Sequence, residues 1–306
     1  MIDSALLRLA HSPDPDDAFM WWPLVGLGDG GPEVDTGRWR FELVAEDIET
    51  LNQQAEEAVY DITAISCAQY PSVRDQYALT ACGASLGDGY GPRLVSKTPM
   101  DLETFCRETP LTAVPGARTS AVAACRMLLE GRPLPCEVVP FEKIIDEVVA
   151  DRFEVGLVIH EGQLTFADAG LHLVADLGAW WKSRTDLPLP LGGNAISRDL
   201  ARQYGPGALE EIAGILRSSV DWAMANKERA IEWALNYGRG IDHATAETFV
   251  DMYVNRWTVD VGTTGTQALR VFYKEAQRLG VLQDAGEVDV IGLELLAEDC
   301  GQDASQ

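Results

Sequence analysis

Residues 111–160 read LTAVPGARTSAVAACRMLLEGRPLPCEVVPFEKIIDEVVADRFEVGLVIH. The apolar run Leu111–Val114 precedes a helical pattern over Thr119–Glu130. A strand pattern at Glu137–Val139, a second helical pattern at Phe141–Ala150 and the run Val155–His160 follow. Strand and helix periods alternating at this spacing predict a βαβαβ series, and such a series argues a parallel sheet covered by helices. Upstream the alternation is similar. Leu6–Ala10 reads as a strand, Asp16–Val25 as a short helix, Trp39–Ala45 as a strand and Asp47–Val59 as a helix. Asp61–Ile65 and Tyr77–Cys82 add two more strands. The fold class is α/β.

After Ile196 the pattern turns helical. Ala208–Asn226 carries Ile212, Ile215, Leu216, Val220 and Ala223 on one face, and Lys227–Tyr237, His243–Val254 and Gln267–Leu279 continue it. Thr264 and Gln267 suggest a capping box, with Gly280 as the stop. One economical architecture has two lobes, the chain crossing near Ser96–Asp101 and returning near Leu191–Ser197. The first lobe would hold residues 1–96 and 197–306, the second 97–196, with a ligand cleft between them. Gly26–Gly37 and Asp284–Gln306 are expected to be poorly ordered; the latter holds seven acids and no Lys or Arg.

The 306 residues suffice for about two domains, and 46% hydrophobic content suffices for their cores. Forty-eight Asp and Glu against 24 Lys and Arg give a formal charge of −24. Such a field repels phosphate backbones and anionic lipid, so neither nucleic acid nor membrane is an expected partner. A small anionic ligand stays possible where donors converge locally. Met1–Ala10 lacks a basic start and a long apolar core, and the six cysteines form no C-x-x-C pair. A cytosolic protein with reduced thiols is expected.

Four segments bear on chemistry. His11–Trp22 (HSPDPDDAFMWW) follows the first strand, and its acids do not match Ca²⁺-loop spacing. Asp16 or Asp17 reads as a helix cap after a Pro turn, with a metal site as the alternative, and the turn also suits a cleft mouth. Thr119 or Ser120 reads as an N-cap beside free backbone donors, and Ser66 holds the equivalent place in the first lobe. The glycines at 83, 87, 89 and 91 fit neither phosphate-loop pattern and read as a connector. His160 ends a strongly predicted strand, where open α/β sheets place their chemistry. An imidazole titrates near neutrality and suits a general base, although a lone His is also commonly structural. His11 shares that strand-end position. No Ser or Cys elbow such as G-x-S-x-G lies near these histidines in the sequence, which leaves a hydrolase triad without support.

Several motifs occur in a fixed order: SPDPDDAF (Ser12–Phe19), DIETLN (Asp47–Asn52), GLVIHE (Gly156–Glu161), DLGAWW (Asp176–Trp181), LPLPLG (Leu187–Gly192) and YVN (Tyr253–Asn255). Together, over about Leu6–Leu282, the chain resembles the 1,4-dihydroxy-6-naphthoate synthases of the futalosine route to menaquinone. The resemblance implies a two-lobed, periplasmic-binding-protein-like fold. It also implies a lyase that cleaves cyclic dehypoxanthine futalosine without a metal or organic cofactor. His160 matches the catalytic base, while Ala64, Ile65, Ser66, Thr119 and Ser120 match ligand-contacting segments. The opening loop departs from the common Ser-Pro-Cys-Pro-Asn-Asp-Thr at Asp14, Asp16 and Ala18, which leaves room for a divergent branch with a shifted substrate; Asp16 is a further substrate-facing candidate. A Lys common in the family is Ala64 here, and a His is Arg118, whose charge would stand in for that Lys. The expected partner is a small anionic substrate; oligomeric state carries no expectation. Two alternatives remain: a non-catalytic solute-binding protein of the same fold, and the related chorismate dehydratase.

Overall fold

The computed structural model describes residues 4–26, 30–235 and 243–293. Their strands are β1 (Ala5–His11), β2 (Trp39–Ala45), β3 (Ile62–Ser66), β4 (Tyr77–Thr80), β5 (Ser85–Gly87) and β6 (Arg93–Ser96). The rest are β7 (Thr112–Val114), β8 (Cys136–Val138), β9 (Val155–Val158), β10 (His172–Asp176), β11 (Leu189–Ser197) and β12 (Val290–Ile291). One sheet runs β12-β4-β11-β3-β1-β2, with β5 also paired to β11, and the other runs β10-β6-β9-β7-β8. The βαβαβ series forms the parallel half of the second sheet: β7 pairs in parallel with both β8 and β9.

Neither sheet is purely parallel. In the first, β11 lies antiparallel to β3, β4 and β5; in the second, β6 lies antiparallel to β9 and β10. These antiparallel strands follow from the crossings. A strand entered directly from the other lobe has no crossover helix to reverse it, so it pairs antiparallel. The same strands move the expected lobe boundaries. Arg93–Ser96, assigned above to the first lobe, belongs to the second sheet, and Leu189–Ile196, assigned to the second, belongs to the first. The crossing precedes Arg93 and the return precedes Leu189.

Helix Ala208–Ala225 buries Ile212, Leu216, Val220 and Ala223 as its periodicity predicts. They pack with Phe19, Trp21 and Trp22, and each fully buried Leu or Ile contributes roughly 1.5–3 kcal/mol. The expected capping box at Thr264 and Gln267 is absent. The helix spans Gly262–Arg278, because Asp260 Oδ1 accepts the Gly262 N–H at 2.7 Å and starts it earlier. A capping box forms instead at Asn255 and Thr258. The acidic end also departs from expectation, since Val290–Ile291 pairs in parallel with β4. Residues 294–306, and 236–237 of the expected helix Lys227–Tyr237, lie outside the described residues. No helix among the described residues is long and apolar enough to cross a membrane.

Candidate active site

The C-terminal ends of β1, β3, β7 and β9 converge on a cleft between the sheets. Its volume is about 720 Å³ including the open mouth. At the end of β1 the chain turns through Ser12–Asp14 into the helix Pro15–Trp21. Pro15 at the first helical position needs no N–H partner there, so the turn is tight. Contrary to the sequence reading, neither Asp16 nor Asp17 caps this helix. Asp14 holds the N-cap position without a side-chain cap bond, and Asp17 Oδ2 reaches back to accept the Ser12 N–H at 2.8 Å. Asp16 and Asp17 both line the cleft. Burial, with Asp17 and Asp14 beside it, pushes the Asp16 carboxyl well above the usual carboxylate range. Burial also raises Asp17, opposed by His11. Asp16 Oδ1 is buried with no hydrogen-bond partner among the described residues. Among those residues, no group of three or more His, Cys, Asp or Glu is placed to hold a metal ion.

His160 enters from the other sheet, just past β9. Its backbone is left-handed at φ 50°, which costs a non-glycine residue of order 1–3 kcal/mol. That conformation forms the turn into the short helix Gly162–Thr165, whose Gln163 N–H donates to the His160 carbonyl at 3.1 Å. The imidazole meets the Phe141 ring edge-on, with centroids 4.8 Å apart. Its Nδ1 lies 3.3 Å from Asp14 Oδ2, so the pair joins the two lobes across the cleft. His11, the other strand-end histidine, is buried, with Nδ1 2.8 Å from the Ser12 carbonyl. His172 and His243 lie on the exposed surface.

The opposite wall comes from β3 and β11. Ser66 and Ile65 face Gly192 and Gly193 in antiparallel register, and all four line the cleft with Ala64. Ser66 holds the N-cap position, but of a three-residue 3-10 turn that runs into the four-residue helix Tyr70–Val73, and its side chain makes no cap bond there. Its N–H donates to Asn52 Oδ1 at 2.8 Å, and its hydroxyl accepts from Asn52 Nδ2 at 3.0 Å. Thr119 does cap the nine-residue helix Ser120–Leu128, accepting the Val122 N–H. The Ser120 hydroxyl donates to the Leu191 carbonyl at 2.5 Å and accepts the Ala68 N–H at 3.0 Å, tying the lobes together. The first N–H groups of that helix have no partner within it, so its start adds donors to the cleft.

Arg118 is a correction. It does not line the cleft; its guanidinium pairs with Glu56 at 3.0 Å and Glu49 at 3.3 Å. The hydrogen bond to Glu56 raises the guanidinium further and lowers the Glu56 carboxyl. The acids of the helix Ile48–Glu56 compete for this charge at contact distance and hold it. Among the described residues, no Lys or Arg lines the cleft.

The menaquinone biosynthesis family profile matches residues 7–278. The 1,4-dihydroxy-6-naphthoate synthase of Thermus thermophilus is 36% identical over 90% of this chain and 95% of its own. The Streptomyces coelicolor enzyme of that name is 33% identical over 92% and 96%. The chain belongs to the menaquinone biosynthesis family. A solved Archaeoglobus fulgidus protein superposes with TM-score 0.81 at 40% identity, covering 90% of this chain and 98% of that one. The alkanesulfonate-binding protein of Xanthomonas axonopodis superposes with TM-score 0.64 at 10% identity, covering 94% and 97%. The fold is that of the two-lobed periplasmic binding proteins.

The motifs that suggested this family each have a local task. Asp47 caps the helix Ile48–Glu56, and Asn52 fixes Ser66. Asp176 caps the helix Leu177–Thr185 and pairs with Arg93 at 3.2 Å. Trp181 Nε1 donates to the Pro188 carbonyl, locking LPLPLG against DLGAWW. Sequence reasoning missed Gln163 and Tyr253 as cleft residues; the Tyr253 hydroxyl and the Gln163 amide are hydrogen-bonded at 2.8 Å. Tyr253 belonged to a quoted motif, but its distance in sequence hid its place. Gly83 was read as connector and lines the cleft floor. At φ 78°, a Cβ there would meet Asn194 at 2.5 Å and Trp21 at 2.8 Å.

Proposed function

We propose that this chain is a lyase converting cyclic dehypoxanthine futalosine to 1,4-dihydroxy-6-naphthoate, with His160 as general base. The observation that carries the reading is the placement of His160: an imidazole in strained left-handed backbone at a strand end, lining a cleft between two lobes. Strain of this kind persists where surrounding structure enforces it, commonly at working residues. His160 takes a proton from a substrate hydroxyl. The O–H pair becomes a carbonyl as the adjacent C–C bond breaks, and that bond's electrons pass into the substrate's carbonyl-bearing ring. The resulting enolate recovers a proton from the imidazolium, which balances the step. The start of the helix Ser120–Leu128 and the Ser66 and Thr119 hydroxyls meet the substrate carboxylate and hydroxyls. Asp16 in its acid form donates to a substrate oxygen.

His160→Gln tests the assignment. The variant is expected to keep the parent circular dichroism spectrum while naphthoate formation, followed by chromatography, falls about 10²–10⁴-fold. Undiminished turnover defeats the assignment. Tight substrate binding without turnover by the parent protein would favour a solute-binding role, and turnover of chorismate in its place would favour the dehydratase.

A further inference from the structure

We propose that Asp14 is a positioning residue for His160, its carboxylate holding the imidazole Nδ1–H so that Nε2 serves as the basic nitrogen. The proposal rests on the lyase reading for its reaction, and on geometry for everything else. Asp14 Oδ2 lies 3.3 Å from His160 Nδ1, and the Asp14 side chain is 1% exposed. The two residues come from different lobes, one from the turn after β1 and one from the turn after β9. Neither would meet the other unless both turns were built for it. On the first side, Pro15 tightens the turn, and Asp14 takes the N-cap position while leaving its carboxylate out of the cap. On the second side, the left-handed backbone of His160 presents the ring to Asp14, and Phe141 fills its flank.

A neutral imidazole carries one proton on either nitrogen, and the partner of one nitrogen decides which. A carboxylate accepts and cannot donate, so Asp14 selects the Nδ1–H form and frees the Nε2 lone pair. When Nε2 takes the substrate proton, the imidazolium's positive charge is met by the carboxylate beside it, and no proton passes on to Asp14. No bond to Asp14 forms or breaks, and the only proton moved is the one passing between substrate and Nε2. Because Asp14 and His160 belong to different lobes, the base is held this way only when the lobes bring the two residues together as they do here.

The test combines kinetics with a measurement that needs no substrate. In ¹⁵N-labelled parent protein, above the pH at which imidazole titrates, the His160 ring shifts are expected to report the Nδ1–H tautomer. Asp14→Asn is expected to move population to the Nε2–H form. It should lower kcat roughly 10²–10³-fold and leave KM within about threefold. On a His160→Gln background the same substitution should cost nothing further, since a positioning residue has nothing left to position. Three results would overturn the proposal: an Nε2–H tautomer in the parent, kcat for Asp14→Asn within about threefold of the parent, or losses that multiply in the double variant. If Asp14→Asn does not fold, the parent tautomer still decides. Absence of turnover by the parent counts against the lyase reading, whereas the tautomer measurement speaks to Asp14 alone.

Discussion

Asn52→Ala separates a structural role from a catalytic one, because Asn52 is fully buried and touches the cleft only through Ser66. The substitution leaves the Asn52 carbonyl in place to accept from Gln69 Nε2, so the loss is confined to two bonds. The Ser66 N–H loses its acceptor at 2.8 Å, and an unsatisfied buried N–H costs about 1–3 kcal/mol. The Ser66 hydroxyl loses its donor at 3.0 Å, but it lines the cleft and water can replace it, so about 0.5–1 kcal/mol is reasonable. The sum is about 2–4 kcal/mol. For 306 residues the entropy of unfolding is about 0.6 kcal/mol/K, so Tm should fall by about 3–6 °C. Calorimetry measures that fall, and steady-state kinetics should show KM rising as Ser66 loses its fixed position. Ser66→Ala, combined with Asn52→Ala, should be non-additive, since both remove the same hydroxyl bond. A Tm within 1 °C of the parent would refute the claim that Asn52 holds this wall of the cleft.

Two predictions join those already made for His160 and Asp14. Asp16 has a raised carboxyl in the fold, so its stabilising contribution is complete below the ordinary carboxylate range near 4 and is lost as pH rises through the folded value. Asp16→Asn, neutral throughout, should therefore gain urea resistance relative to the parent as pH goes from about 4 to 8, and a pH-independent difference would show that burial of the charge is not the cause. Arg118→Gln should leave KM within about twofold, because the guanidinium serves Glu49 and Glu56 outside the cleft. Being partly exposed, the pairs contribute about 0–1 kcal/mol together; a large rise in KM would return Arg118 to the substrate.

What the sequence made legible was local. The period changes across Leu111–His160 located β7, β8 and β9 to within two residues, because each strand is short and lies beside a helix of clear period. Thr119 declared itself as a cap for the same reason, since one hydroxyl and the next turn settle the matter. What stayed hidden depended on long-range pairing. Nothing local in LPLPLGGNAIS says that it will run antiparallel to β3, which requires knowing that the chain has just returned from the other lobe. Arg118 was misread because its partners lie more than 60 residues earlier, on the helix Ile48–Glu56. The Asp14–His160 pair was invisible for a like reason. Asp14 was weighed with its neighbours as a metal cluster or a turn, while its partner sits at the end of a different sheet.

The charge of −24 gains a specific meaning from the cleft. A protein that binds an anion amid so many acids has two means available: a locally concentrated cation, or neutral donors with the nearby acids disarmed. The structure favours the second. The one arginine that sequence placed near the ligand is held by two glutamates, and the lining among described residues, apart from Asp16, Asp17, His160 and Gln163, is hydroxyls, backbone and apolar surface. The acids that do face the cleft are half-buried, and desolvation of their carboxyls shifts Asp16 and Asp17 toward their uncharged forms. Asp14 is different in function as proposed here, since a carboxylate facing an imidazole needs its charge when that imidazole is protonated. Three acids within four residues therefore differ by environment: Asp14 faces His160, Asp17 ties the turn to Ser12, and Asp16, under the proposed function, is the donor to the substrate. Under the proposed function, that division lets a run of carboxylates border the cleft without repelling an anionic substrate.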